Sequence, residues 1–359
     1  MRAAIMRNKQ IVVDDMPVPD AGPGEVLVRT LACGICGSDL HALRHGQAFV
    51  DTSNRTGDVF DMDVSRDVVM GHEFCAEIVD HGLKTQGHLA SGTIVCAMPL
   101  LLRPSGARTV GYSNEHPGGF AEYMRLSESL LLPVPNGLSA ELAALTEPMA
   151  VGLHAVEKAR LAAEDVPLVI GCGPVGLAVI ASLKSRDSRP IIAADYSARR
   201  RELALIMGAD IVVDPAETSP YTSWREAAAI HNPGQVLPPW KKGPLLRPAV
   251  IFECVGVPGM INLIMEQAPK GARIVVVGVC MERDHIEPIF GINKEINIQF
   301  VLAYSGQEFA QSLHAIADGI IDAAPLVTGK IGVDGVAKAF EDLASPDLHA
   351  KILVEPWRS

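Results

Sequence analysis

The chain has 359 residues, of which 48% are hydrophobic and 20% are charged, and its formal net charge is −11. This composition is ordinary for a globular protein of two or three domains, and the acidic balance argues against nucleic acid as a partner because phosphates would be repelled. The 7 cysteines are odd in number and irregularly spaced, which argues against a disulfide framework.

Two segments bear on the location of the protein. Residues 1–15 alternate apolar and polar side chains, which predicts a first β-strand rather than a secretory signal. The most apolar stretch, 166–183, is short for a membrane span and is interrupted by glycine and proline. We therefore expect a soluble, cytoplasmic protein without a membrane partner.

The first half of the chain has the pattern of a β-rich domain. Short apolar runs at 25–32 and 76–82 are separated by turns of glycine, proline and aspartate. The stretch 46–69 differs, because it mixes scattered hydrophobes with aspartates, and it predicts a long loop. Loops of this length without regular structure are usually functional or mobile.

From about residue 147 the pattern changes to strands alternating with helices, which predicts βαβ units around a parallel sheet and an α/β fold. Residues 166–183 predict a buried strand, a glycine turn and a helix. Further strands are expected at 190–197, 250–256 and 272–279. Residues 215–248 predict an insertion in this sheet. The tail predicts two helices, 306–321 and 335–344, and a last strand that packs back on the first domain.

A glycine motif opens the first helix of this second half. The motif Gly-x-Gly-x-x-Gly follows an apolar strand and reads Gly171-Cys172-Gly173-Pro174-Val175-Gly176. Such a turn lets backbone N–H groups approach a pyrophosphate at a helix N-terminus. It therefore predicts a dinucleotide site.

Residues after the motif bear on the cofactor. Asp195, which follows the second strand, is placed to bind ribose hydroxyls and to repel a 2′-phosphate, so we expect NAD. Arg199 and Arg200 leave NADP open as the alternative, since arginine can accept that phosphate. Four residues at later strand ends are candidates for contacts to the nicotinamide: Val255, Val277, Gly278 and Val279.

Three potential metal ligands occur in short polar motifs. They are Cys36 in GICGSDLH, His72 in GHE and Glu147 in TEP. A thiolate, an imidazole and a carboxylate leave a fourth zinc position for water or substrate. Composition and spacing do not establish that the three side chains converge.

The order of GICGSDLH, GHE, EPMAVGLHA and GCGPVG resembles that of the zinc-containing medium-chain dehydrogenases over nearly the whole chain. The EP variant is most similar to the sorbitol, threonine and glucose dehydrogenases. The resemblance implies a GroES-like β-rich catalytic domain over 1–150, completed by 301–359. It also implies a Rossmann NAD-binding domain with a doubly wound parallel sheet over 151–300.

The resemblance also implies roles for individual residues. Cys36, His72 and Glu147 match the catalytic zinc positions, and Glu73 matches an acid that binds zinc directly or through water in some relatives. Asp39 matches the residue that orients the zinc histidine. The proton relay of the relatives corresponds to Ser38 and His41.

Two departures from the relatives bear on the site. The lobe that holds a structural zinc in relatives carries four closely spaced cysteines, whereas the corresponding stretch here has only Cys96. We therefore expect one catalytic zinc and no structural zinc. The longer interval between Cys36 and His72 contains the acidic segment 46–69, which we expect to help shape the substrate pocket.

These features predict a homo-oligomeric enzyme that transfers hydride between an alcohol, either a secondary alcohol or a polyol, and NAD, with a ketone or aldehyde as the other substrate. One alternative is a zinc-free quinone or enoyl reductase on the same scaffold, and another is a non-catalytic NAD-binding protein. A redox pair of Cys33 and Cys36 is a further alternative, although Cys33 is better interpreted as a small buried residue.

Overall fold

The computed structural model describes residues 1–57, 62–230 and 243–358, and the chain forms two compact units, Met1–Ala150 with Tyr304–Ser359, and Val151–Ala303. The first segment of the first unit contains β1 Arg2–Arg7, β2 Gln10–Asp15, β3 Glu25–Gly34, α1 Gly37–Thr56, β4 Glu73–His81, β5 Ile94–Ala97, β6 Leu100–Arg103, β7 Gly106–Thr109, β8 Tyr123–Ser127, β9 Leu131–Pro133 and α2 Ala140–Ala143. Helix α3, Thr146–Ala159, begins in this segment and continues into the second unit.

The elements of the second unit are β10 Val166–Ile170, α4 Pro174–Ser185, β11 Ile192–Ala194, α5 Ala198–Met207, β12 Ile211–Val213, α6 Pro220–Ala228, β13 Ala229–Ile230, β14 Leu245–Leu246, β15 Ala249–Glu253, α7 Met260–Gln267, β16 Arg273–Val276, α8 Pro288–Lys294 and β17 Asn297–Phe300. The closing segment of the first unit contains α9 Gly306–Ala317, β18 Val327–Ile331, α10 Val336–Leu343 and β19 Lys351–Val354.

The first unit is built on a sheet in the order β18-β19-β3-β4-β5-β9, with β8 also pairing with β3. Strand β3 lies near the centre of this sheet, and its inward side chains, among them Val26 and Val28, are buried together with Phe74 and Phe120. Each such side chain contributes about 1.5–3 kcal/mol on burial. Because β19 pairs antiparallel with β3, the C-terminal strand belongs to this unit.

The N-terminal segment is a hairpin, so the prediction of a single strand over 1–15 is wrong. Strands β1 and β2 pair antiparallel from Arg2↔Asp15 to Arg7↔Gln10. The two residues between them, Asn8 and Lys9, have φ of 51° and 59°. Positive φ at both central positions is the requirement of a tight hairpin turn, and no glycine marks it in the sequence.

Helix α1 shows that the prediction of a loop over 46–69 is partly wrong. The loop expected over 46–69 is helical as far as Thr56, and the helix ends at Gly57, whose φ is 74°. At the other end, the Asp39 carboxylate accepts a hydrogen bond from the Cys36 amide (2.9 Å), which satisfies a free N–H of the first turn. Residues 62–69 contain a turn at 64–65 and an isolated β-bridge from Val68 to Met6, and Asp58 and Asp61 of the predicted loop lie outside the described residues.

The second unit contains a six-stranded parallel sheet in the order β12-β11-β10-β15-β16-β17. The strands expected after residue 147 are present, and the sheet order reverses between β10 and β15. In open sheets of this kind, ligands bind outside the carboxyl ends of the strands at that reversal. The glycine motif follows β10 and therefore lies at this edge.

Two glycines of the motif are required by the backbone. Gly171 has φ of 92°, and a Cβ on Gly176 would overlap the Gly171 carbonyl oxygen. Pro174 occupies the first turn of α4, where a missing N–H costs no hydrogen bond. The motif is therefore a tight strand-to-helix turn, as the sequence predicts.

The predicted insertion 215–248 is ordered in its described part. It contains α6 and the short antiparallel pair β13–β14. The indole of Trp224 is buried and donates a hydrogen bond to the Val166 carbonyl (2.9 Å), which ties α6 to the first strand of the sheet. Trp240 lies outside the described residues. No helix in the described part of the chain is both long and apolar enough to cross a membrane.

Candidate functional site

The pairing of β3 with β4 brings three potential metal ligands together. Cys36 lies just after β3, and Glu73 opens β4 opposite Gly34, with His72 before it. One ligand atom from each of Cys36, His72 and Glu73 lies within 4.8 Å of the others. A Cβ on Gly34 would overlap the Glu73 carboxylate, so this position favours glycine. Thiolate, imidazole and carboxylate are the ligands that zinc takes in proteins.

Glu147 lies beside this group but outside the set of three. It stands in the first turn of α3, it is buried, and its carboxylate interacts with His72, Glu73 and the hydroxyl of Tyr304. Burial, together with the negative charge of Glu73, raises the pKa of Glu147 to about 7. A cation at this position would stabilise the ionised Glu147 carboxylate, which burial and Glu73 disfavour.

Glu73 is held by a lysine that sequence reasoning missed. Lys351 Nζ lies 2.7 Å from both Glu73 carboxylate oxygens and 3.0 Å from the Ile35 carbonyl oxygen. Both charged side chains are 1% exposed. Although burial opposes it, the negative charge of Glu73 raises the pKa of Lys351. A lone lysine opening the apolar strand β19 was the available signal.

Asp39, to which the resemblance assigns the orientation of the zinc histidine, lies close to His72. Asp39 is 0% exposed, and its Oδ1 lies 3.5 Å from His72 Nδ1, a buried atom without a hydrogen-bond partner in the described part of the chain. Burial disfavours the imidazolium, yet the charges of Asp39 and Cys36 raise the pKa of His72 well above its usual range. Three carboxylates and a thiol thus face one lysine and one histidine, a charge balance that suits a divalent cation.

The two relay candidates have different surroundings. Ser38 lies in the first turn of α1 and is hydrogen-bonded to the Tyr112 hydroxyl (2.9 Å). His41, one turn further along, is half-buried, and burial lowers its pKa, with a smaller contribution from the positive charges of His45 and Arg44. No hydrogen bond joins Ser38 to His41 within the described ranges.

Tyr112 is a second residue that sequence reasoning missed. Its hydroxyl also lies 2.9 Å from Asp39 Oδ1, and its ring centroid is 5.2 Å from that of His72. Burial and the negative charge of Asp39 raise the pKa of Tyr112, so its hydroxyl keeps its proton. Tyr112 follows the β6–β7 hairpin, in the stretch where relatives carry the structural-zinc cysteines.

The predicted cofactor residues lie at the carboxyl edge of the parallel sheet. Asp195 follows β11 and accepts hydrogen bonds from the amides of Cys172 (2.7 Å) and Ser197 (2.8 Å). Arg200 Nη1 is 3.9 Å from Asp195 Oδ2, and Arg200 Nε is buried without a hydrogen-bond partner in the described part of the chain. An acid and an arginine therefore lie together beside the glycine turn.

The candidate nicotinamide residues surround a buried acid at the ends of β15 and β16. The Glu253 carboxylate accepts hydrogen bonds from the amides of Val255 (2.7 Å) and Gly256 (2.8 Å). The Glu253 carbonyl accepts from the amides of Val277 and Gly278 (2.9 Å each). Val255 and Val279 remain exposed at this edge, whereas Val277 is buried.

Comparison with known proteins identifies the family. Residues 22–136 match the alcohol dehydrogenase GroES-like domain, and residues 174–318 match the zinc-binding dehydrogenase domain. The chain is 31% identical to the (R,R)-butanediol dehydrogenase of Bacillus subtilis, over 99% of this chain and 100% of that one. It belongs to the zinc-dependent medium-chain dehydrogenase family. The family, the fold class and a dehydrogenase acting on CH–OH groups, as expected from the sequence, are thereby confirmed.

Other members of the family are similarly related. The sorbitol dehydrogenase of Bacillus subtilis is 27% identical over 100% of this chain and 98% of its own. The crystal structure of 2R,3R-butanediol dehydrogenase from the same bacterium has a TM-score of 0.80 at 29% identity, covering 99% of both chains. A zinc-binding dehydrogenase from Sinorhizobium meliloti, solved with NADP bound, has a TM-score of 0.78 at 25% identity and also covers 99% of both chains.

Proposed function

We propose that this family member oxidises a secondary alcohol or polyol with NAD at a single catalytic zinc. The observation that carries the proposal is the convergence of Cys36, His72 and Glu73 within 4.8 Å. Glu147, buried beside them, is the carboxylate that we assign as the third ligand, because both oxygens of Glu73 are bound by Lys351. Relatives that act on butanediol and sorbitol support an alcohol with neighbouring hydroxyl groups as the substrate class.

Each residue of the site has a distinct task in this proposal. A zinc ion at this site would supply Lewis-acid chemistry for an alcohol dehydrogenation that transfers hydride to NAD. Cys36, His72 and Glu147 would hold the metal. Glu73 is paired with Lys351, and Asp39 orients the His72 ring. Ser38 accepts the alcohol proton, and His41 passes it towards solvent.

The choice of NAD over NADP rests on Asp195. Its carboxylate would repel a 2′-phosphate, and two of the three neighbouring arginines are engaged elsewhere. Arg199 pairs with Glu202, and Arg201 pairs with Asp214. Of these three arginines, Arg200 is the one that would accept the 2′-phosphate of NADP. The pyrophosphate is assigned to the Gly171–Gly176 turn and the nicotinamide to Val255 and 277–279.

We assign the metal chemistry to 1–150 with 301–359 and NAD binding to 151–300. We also propose that the protein is a homo-oligomer and that it is cytoplasmic. Apolar side chains left exposed on α8 and at the end of the parallel sheet support assembly, namely Ile289, Ile292, Phe300 and Leu302. Sedimentation equilibrium tests this assignment, and a monomer would contradict it.

The first test is zinc content together with Cys36→Ala. Protein purified without chelator should contain about one zinc per chain. The variant should lose zinc and turnover of (R,R)-2,3-butanediol, sorbitol or L-threonine, while its affinity for NAD is unchanged because the glycine turn is intact. Cys280→Ser is the matched control. Turnover that persists in the metal-free variant would instead support the zinc-free reductase.

A further inference from the structure

Tyr112 lies beside the candidate metal ligand His72 but has no task in the function proposed above. Its hydroxyl is within 2.9 Å of both Ser38 Oγ and Asp39 Oδ1. The ring is 6% exposed, is stacked on Phe49 with centroids 6.4 Å apart, and lies against His72. Packing therefore fixes the ring, and the hydroxyl makes both polar contacts.

The direction of the hydrogen bonds follows from donor counting. An ionised aspartate only accepts, and a tyrosine hydroxyl has one hydrogen, so that hydrogen goes to Asp39. Ser38, within hydrogen-bond distance of the same oxygen, must then donate its own hydrogen to Tyr112. In this resting arrangement the Ser38 hydrogen is directed to Tyr112, in agreement with the absence of a Ser38–His41 hydrogen bond among the described residues. When Ser38 accepts the alcohol proton, its own hydrogen turns from Tyr112 and passes to His41, so Ser38 is neutral before and after the transfer.

We infer that Tyr112 is a positioning residue that orients Ser38 as the acceptor of the substrate proton. This inference rests on the proposed function. With its hydrogen directed to Tyr112, Ser38 presents only lone pairs to a bound alcohol. Because Tyr112 in turn donates to the Asp39 carboxylate, the chain of hydrogen bonds polarises Ser38 and strengthens its oxygen as an acceptor.

The geometry also separates this role from a purely structural one. Tyr112→Phe removes the hydroxyl and keeps the ring that packs on Phe49 and His72. Tyr123 offers a matched control, because its ring packs edge-to-face on Trp357 and its hydroxyl makes no hydrogen bond in the described part of the chain. Tyr123→Phe therefore removes the same group away from the site.

The experiment measures kcat with NAD and (R,R)-2,3-butanediol, or with whichever of butanediol, sorbitol and L-threonine the zinc-loaded wild type oxidises fastest. Y112F should lower kcat on the order of 10-fold to 100-fold, with zinc content, NAD affinity and the thermal midpoint retained. Its pH profile should shift to higher pH, because a weaker acceptor takes up the alcohol proton less readily. Y123F should match the wild type in rate and profile.

A double-mutant cycle completes the test. If Tyr112 acts through Ser38, Y112F adds no further loss in a Ser38→Ala background. The inference would be overturned if the kcat losses of Y112F and Ser38→Ala multiply in the double variant. It would also be overturned if Y112F leaves kcat and the pH profile unchanged, or if Y112F loses zinc. An inactive zinc-loaded wild type would overturn the proposed function itself, and with it this role. Rates are compared well below the unfolding midpoint of the least stable variant.

Discussion

Two buried acids beside the same metal site are held in different ways. Lys351 contacts both oxygens of Glu73, so the charge of Glu73 is compensated within the chain. Glu147 interacts with the hydroxyl of Tyr304 and with the charges of His72 and Lys351 but forms no ion pair in the described part of the chain, and burial raises its pKa to about 7. The carboxylate with the uncompensated charge gains most from a bound cation.

Exchange of each acid for its amide should separate these roles. Glu147→Gln should weaken zinc binding on the order of 100-fold, with little loss of thermal stability. Glu73→Gln should weaken zinc less but should destabilise the fold by about 3–5 kcal/mol, because it leaves the Lys351 charge buried and unpaired. Competition with a chromogenic chelator measures the first effect, and urea unfolding of metal-free protein measures the second. If Glu73→Gln weakened zinc binding more than Glu147→Gln, Glu73 rather than Glu147 would be the zinc ligand.

The predicted and the missed residues of the site differ in their distance along the chain. Cys36, Ser38 and Asp39 share one helix turn, and short motifs mark His72 and Glu147, so local sequence identified them. Lys351 reaches Glu73 across 278 positions, and Tyr112 reaches Ser38 across 74. Only the register of the strands determines such contacts, and a single sequence does not reveal it.

At the level of elements, the strand-to-helix turn of the glycine motif makes the clearest prediction. Gly176→Ala should lower the unfolding temperature and NAD affinity together, since its Cβ would overlap the Gly171 carbonyl and the turn must open. Gly173→Ala meets nothing closer than the Arg200 guanidinium at 3.8 Å. That variant should retain its stability and lose only NAD affinity, because its methyl group obstructs the pyrophosphate.

Calorimetry and NAD titration of the two variants provide the comparison. Equal losses of stability in both would show that the turn does not depend on the close approach at Gly176. Strand and helix patterns were otherwise reliable in the second unit, where buried β-strands alternate with helices. The errors occurred at 1–15 and 46–56, because a hairpin turn without glycine and a polar helix both lack strong local signals.

For the whole molecule, protons and zinc compete for the same folded site. The pKa of Glu147 rises from its ordinary 4.5 to about 7, so the folded chain binds this proton more tightly than the unfolded chain does. The stability that it contributes is present below pH 4.5 and is lost as the pH rises through about 7. The raised pKa of His72 acts in the same direction. Zinc requires deprotonated ligands and so acts in the opposite direction.

The difference in Tm between zinc-loaded and metal-free protein should therefore widen between about pH 5.5 and about pH 8. Metal-free Glu147→Gln should show a flatter dependence of Tm on pH than metal-free wild type, because it lacks the titrating carboxyl. Differential scanning fluorimetry across a buffer series measures both curves. A difference in Tm that stays constant with pH would contradict the assignment of these groups to the metal site.

The buried contact between Glu73 and Lys351 also has a consequence for synthesis on the ribosome. The two residues are 278 positions apart, which corresponds to roughly 14–56 s of translation at about 5–20 residues per second. During that interval the second unit is made in full, while the acid at the start of β4 lacks its lysine and β3 lacks β19. The earlier-made sheet is thus the later one to mature, because the end of β3 at Cys33 and Gly34 stays without its partner strand until β19 has been made.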